Sequence, residues 1–231
     1  MISWIRGLVN LNRDRVSSND ERTASPLLTT KMLALDFELT SLSINSAHIT
    51  SAGWVAGTGF RIEPHTSFYT TVRVSQSLEQ SPVIHGLTDT ELESGKPISS
   101  LMKQLYPLLG GHVLLCHHAR LEVGLLSRLA HQLQLAETTL VVVDTMQLAG
   151  YLFKKQGNTL SQDTLTLDNC RKRYKLPDAP MHNALTDAQA CYELWLAQLS
   201  ELGVKTDTTI TALRHTGALS IKKLAKTRTS D

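Results

Sequence analysis

Cysteine is scarce in this chain. Three residues of 231, Cys116, Cys170 and Cys191, form an odd set without Cys-x-x-Cys spacing. That excludes a disulfide framework and a structural zinc pattern, and it fits a reducing cytoplasm. No apolar run approaches the roughly 18 residues that mark a membrane span. Arg6, Asn10 and Asn12 interrupt the apolar positions at the amino terminus, so no secretory signal region is expected. A large excess of either charge is also lacking: a net charge of +2 speaks against a broad surface for coating nucleic acid. There is no internal repeat and no low-complexity tract. What is present, 42% hydrophobic and 19% charged residues, suffices for one substantial core.

Charge and polarity divide the chain into three. Residues 1–28 hold a short amphipathic helix pattern (Ile2, Trp4, Ile5, Leu8, Val9) and a polar linker near Ser17 to Pro26. Few cations line that helix, which favours docking on the domain or a partner over membrane binding. Residues 29–202 form the expected domain. Residues 203–231, with six Lys or Arg against two Asp, read as a basic tail. It is either an auxiliary phosphate contact or a solvated, frayed end.

The most telling segment is Leu33-Ala34-Leu35-Asp36-Phe37-Glu38-Leu39. It reads as a core strand, on which positions i and i+2 share a face. Asp36 and Glu38 then project together, and two carboxylates on one face repel unless cations neutralise them. Hard divalent ions with oxygen ligands, Mg²⁺ or Mn²⁺, would do so. The plain alternative is an edge strand bearing two solvated acids.

Two more elements deliver acids. His112 to Cys116 reads as a strand leading into a helix at about 119–134 that carries Glu122. His182-Asn183-Ala184-Leu185-Thr186-Asp187 opens a helix over 183–200 with an apolar stripe at Leu185, Ala188, Tyr192, Trp195 and Leu199. Around these, Ile49 to Arg73 alternates as a β-hairpin about Ala56-Gly57-Thr58-Gly59, a helical pattern follows Pro97, and Leu140 to Val143 reads as a strand. Helices are expected at about 145–155 and 164–174. Three antiparallel strands followed by alternating helix and strand imply an α/β fold, a mixed sheet flanked by helices.

Asp36-x-Glu38, the acid at Glu122, and His182-x-x-x-x-Asp187, in that order, resemble the DEDDh 3′–5′ exonucleases. That family includes the proofreading subunit of bacterial replicative polymerase, ribonuclease T and oligoribonuclease. His85-Gly86-Leu87-Thr88 resembles the family's His-Gly-hydrophobic-Thr segment beside the nucleotide pocket. The likeness runs over about residues 31–200 and implies a ribonuclease H-like fold. It also implies hydrolysis from a 3′ end to nucleoside 5′-monophosphates, with DNA the expected substrate, although sequence alone does not separate DNA from RNA. By this resemblance Asp36, Glu38, Glu122 and Asp187 hold two Mg²⁺ or Mn²⁺ ions and His182 is the general base. The same resemblance implies substrate contacts at Phe37, Leu39, Thr40, His85 and His118. Single-stranded 3′ ends are the implied ligand, and a polymerase or another replication or repair protein is an open partner.

The second motif departs from the family's usual His-Asn-Ala-x-Phe-Asp: here it is His117-His118-Ala119-Arg120-Leu121-Glu122. Glu122 keeps the charge on a side chain one methylene longer. An alternative is therefore a catalytically impaired module that binds nucleic acid or a polymerase, and another is an RNA-trimming enzyme. Taken singly, Asp187 could be only a helix-start acid and His182 a loop residue. Asp144 is expected to cap the helix after its strand. His48, His65, His112, His131 and His215 read as surface or structural residues.

Overall fold

β1 (Lys31–Leu39) forms where the apolar run predicts a strand, and it lies inside the sheet. It pairs antiparallel with β2 (Ile49–Thr58) and parallel with β5 (Val113–Cys116). An edge strand with two solvated acids is thereby excluded. This computed structural model describes residues 20–74, 89–159, 163–180 and 182–224. The helix pattern at residues 2–9, the His85-Gly86-Leu87-Thr88 segment and the last basic residues, Lys226 and Arg228, lie outside that range.

The expected hairpin over 49–73 is a long strand, β2, that pairs with two short strands of the same segment as well as with β1. β2 turns at Gly59-Phe60 into β3 (Arg61–Ile62), and after a 3-10 turn at Pro64–Thr66 the strand β4 (Phe68–Thr71) returns to pair with β2. On the other side β5 pairs parallel with β6 (Thr138–Asp144), and β7 (Leu219–Leu224) closes the edge antiparallel to β6. The order β3-β2-β1-β5-β6-β7, with β4 also on β2, is the mixed, ribonuclease H-like sheet expected from the sequence.

Helices cover both faces. Alternation along β1 sends Leu33, Leu35, Phe37 and Leu39 to one side, where they pack with α3 (Ile98–Leu109) and α4 (Arg120–Gln132). Met32 and Ala34 face the other side, against α5 (Thr145–Lys155) and α7 (Ala184–Leu202). Trp195 of α7 is fully buried there, and its indole N–H donates to Gly59 O at 3.0 Å. Truncating such a residue typically costs about 3–5 kcal/mol. Among the described residues, α1 (Glu21–Ala24), α2 (Asp89–Glu93) and α6 (Leu167–Arg173) are shorter helices.

Two boundaries differ from the sequence reading. The polar segment before Pro26 is docked: the Arg22 guanidinium donates to Leu109 O, His112 O and Thr139 O, and Thr23 and Leu27 are fully buried. Residues 203–224 are likewise no tail. They pass through a 3-10 helix at Ile210–Thr216 and add β7 to the sheet, with Leu27 N–H donating to Thr208 O at 2.8 Å. Burial of Ile210, Leu213 and Leu224 outweighs the polar composition that hid this element.

Candidate active site

Asp36 and Glu38 continue the Met32–Ala34 row, so both leave the sheet on the α7 side, where the apolar row ends. α7 meets them end-on. Asn183 caps its first turn, the amide oxygen accepting from Leu185 N–H (3.1 Å) and Thr186 N–H (3.2 Å). One position further on, Asp187 Oδ2 reaches back to accept from the His182 N–H at 3.1 Å. This contact supplies a physical reason for the His-x-x-x-x-Asp spacing: the acid in the helix fixes the residue just before the cap. His182 holds φ of 65°, in the left-handed region, with its side chain exposed.

One carboxylate oxygen from each of Asp36, Glu38 and Asp187 lies within 4.8 Å of the others. Such closeness depends on a residue that sequence reasoning missed. Gly53 of β2 is the register partner of Asp36. A Cβ built there would stand 2.1 Å from Leu185 N and 2.4 Å from Ala184 C. The start of α7 therefore rests directly on the β2 backbone. Nothing local in the sequence around Gly53 signals this, because the close approach is a pairing across about 130 residues of chain.

Glu122 arrives from the opposite side of the sheet, in the first turn of α4. It is 4% exposed, and its Oε2 has no hydrogen-bond partner among the described residues. It stands outside the 4.8 Å trio, but its charge is the largest electrostatic influence on Asp36. Burial is the first cause of a raised pKa in all four acids. Asp36 lies well above the usual range, raised further by Glu122, Asp187 and Glu38. Glu38 is pushed up to about 7 by burial and then by Asp187. Glu122 is pushed up to about 8 by burial, with Asp144 and Glu38 adding to the rise. Asp187 rises less freely, because the N–H and charge of His182 pull it back.

The other expected site residues divide. Phe37 and Leu39 are buried in the core on the α3–α4 side, because the strand's two-residue period turns their side chains away from those of Asp36 and Glu38. Thr40 is half-buried beyond Glu38, its Oγ1 accepting from His48 N–H at 2.9 Å. His118 is half-buried at φ 73° in the turn before α4. His117 is not a metal ligand in waiting: its ring nitrogens contact Thr145 Oγ1 (2.9 Å) and Leu165 O (2.8 Å), and burial lowers its pKa. Asp144 caps α5 as expected.

Carboxylates whose pKa is raised by burial, and for Asp36, Glu38 and Glu122 by neighbouring acids as well, with a Glu122 oxygen unpartnered among the described residues, fit a hard divalent cation. No helix among the described residues is long and apolar enough to cross a membrane. The exonuclease family model (RNase T type) matches residues 33–195, a span that runs from β1 into α7. The chain is 25% identical over 178 residues to the DNA polymerase III subunit epsilon of Pasteurella multocida (strain Pm70), covering 72% of this chain and 67% of that one. It is 26% identical over 197 residues to the PolC-type DNA polymerase III of Streptococcus mutans, 83% of this chain but 13% of the relative's length. In fold it is similar to cell-death related nuclease 4, with a TM-score of 0.61, 14% identity, and coverage of 84% and 81% of the two chains. With the family model matched over most of its length, the chain belongs to the RNase T-type family of DEDD 3′–5′ exonucleases.

Proposed function

We propose that this chain hydrolyses single-stranded nucleic acid from the 3′ end, DNA in preference to RNA, releasing nucleoside 5′-monophosphates. The carrying observation is the convergence of Asp36, Glu38 and Asp187 oxygens within 4.8 Å, with Glu122 buried close by. The DNA preference rests on likeness to a DNA polymerase III subunit. Asp36, Glu38 and Asp187 would hold Mg²⁺ or Mn²⁺, with Glu122 serving the same site. When bound, such ions neutralise the phosphate and make water a nucleophile at neutral pH. His182, exposed at the rim and tethered through its N–H to Asp187, would take the proton from the attacking water. A new O–P bond would form from the water and the P–O3′ bond would break, the departing O3′ taking a proton from solvent to become the 3′-hydroxyl of the shortened strand.

Purified protein incubated with 5′-labelled single strands of DNA and of RNA, in Mg²⁺ or Mn²⁺, tests this directly. Products shortening stepwise from the 3′ end, abolished by chelator and by Asp36→Ala, are the expected result. Absence of turnover with either ion, or an Asp36→Ala variant as active as the parent, would overturn it. Binding of single strands without turnover would point instead to a recruitment module.

A further inference from the structure

Asp144 does more than end a strand. It sits at the carboxyl end of β6, in register with Cys116 at the end of β5, and is 5% exposed. Its carboxylate accepts four backbone N–H groups from two segments. Met146 (2.9 Å) and Gln147 (3.3 Å) belong to the first turn of α5. His118 (3.2 Å) and Ala119 (3.1 Å) belong to the turn that launches α4. That turn is otherwise poorly provided. Ala119 occupies the cap position of α4 without a side-chain hydrogen bond to offer, and His118 is held at a positive φ uncommon for any residue but glycine. Three residues past Ala119 stands Glu122, with a buried oxygen that has no partner among the described residues and one more rotatable bond than an aspartate would have.

We infer that Asp144 is a positioning residue: its carboxylate locks the His118–Ala119 turn and thereby aims Glu122 at the ion site formed with Asp36, Glu38 and Asp187. It takes this role only if Glu122 serves that site as proposed above. The longer Glu122 side chain makes the lock matter, since a small rotation of the first turn of α4 is magnified at the end of the side chain. Groups that orient metal ligands commonly influence metal affinity by about 10- to 100-fold.

Asp144→Ser separates the two duties of the carboxylate. Serine is as good a helix cap as aspartate and can still serve α5, but a single short hydroxyl cannot also hold the His118–Ala119 turn. Mn²⁺ binding is measured by calorimetry on the full chain for the parent, Asp144→Ser, Glu122→Gln and the double variant, with cooperative melting as the check that each is folded. The expected result is a fall in Mn²⁺ affinity of about tenfold in Asp144→Ser, with the double variant no weaker than Glu122→Gln alone. If the two losses multiply, Asp144 acts through its own charge or through stability, and the positioning role fails while the ion site stands. If Asp144→Ser binds as the parent does, the role also fails. A parent that binds no Mn²⁺ overturns the ion site itself and this role with it. Should Asp144→Ser not melt cooperatively, Asp144→Asn in the same cycle decides by the same two outcomes.

Discussion

Replacing Gly53 by alanine would test whether the site depends on one backbone contact. The added Cβ would fall 2.1 Å from Leu185 N and 2.4 Å from Ala184 C, both backbone atoms that no rotamer change can move aside. Restoring a contact of about 3.5 Å requires the start of α7 to withdraw by roughly 1.4 Å. Asp187 rides on that turn, and its oxygen now lies within 4.8 Å of those of Asp36 and Glu38. A misplacement of about 1 Å at a reacting centre can cost about 10²-fold in rate. Overpacking costs typically about 1–3 kcal/mol, occasionally more, and for a chain of this size each kcal/mol lowers Tm by about 2–4 °C. Single-turnover hydrolysis of a 5′-labelled strand, beside thermal melting, reads both effects. Gly53→Ala should lose about two orders of magnitude in rate while still melting cooperatively. Parent-like rate and Tm would show that α7 does not bear on Gly53 as described, and the account of how Asp187 is placed would fall with it.

Three further outcomes follow from the same geometry. His182→Ala should lower kcat by about 10²–10⁴-fold with Mn²⁺ affinity almost unchanged in calorimetry; lost ion binding would make the imidazole a ligand. Glu122→Gln should cut single-turnover rate severely and Glu122→Asp should retain partial activity, because the charge, more than the length, is what the site needs; a Gln variant equal to the parent would remove Glu122 from the site. The ion-free protein should lose stability as pH rises from about 5 to about 8. Glu38 and Glu122 have folded pKa values of about 7 and about 8, above an ordinary 4.5, so the native state binds more protons than the unfolded chain across that window. Added Mn²⁺ should therefore raise Tm more at pH 8 than at pH 6, and an equal gain at both would contradict the raised values.

Sequence shows the elements that supply most of the buried core. β1, β5, β6 and the long α7 carry apolar runs or a helical stripe, and the acids set in them fall on a strand face or a first turn by period alone. Half-solvated pieces were hidden. β7 reads Leu-Ser-Ile-Lys-Lys-Leu, an edge strand whose exposed lysines look like a tail, and α1 is polar because Arg22 spends its donors on carbonyls far along the chain. Phe37 and Leu39 flank the acids in sequence yet face the opposite side, since adjacency along a strand is opposition across the sheet. Gly53 was beyond reach of any local pattern, since only the packed helix shows why a side chain there is forbidden.

The bridge between Pro26 and Thr209, with Leu28 N–H donating to Thr206 O, joins the two ends of the described chain. Its consequence lies in biosynthesis. At about 5–20 residues per second, Asp187 leaves the ribosome roughly 8–30 s after Asp36, and β7 later still. During that interval β1 and β2 have no α7 to cover Met32, Ala34 and Val55, and the edge of β6 awaits its partner. A domain closed by contacts this distant in sequence folds slowly and only once nearly all of it is made. Nascent chains arrested before residue 219 should consequently be protease-sensitive and aggregation-prone, whatever the stability of the finished molecule.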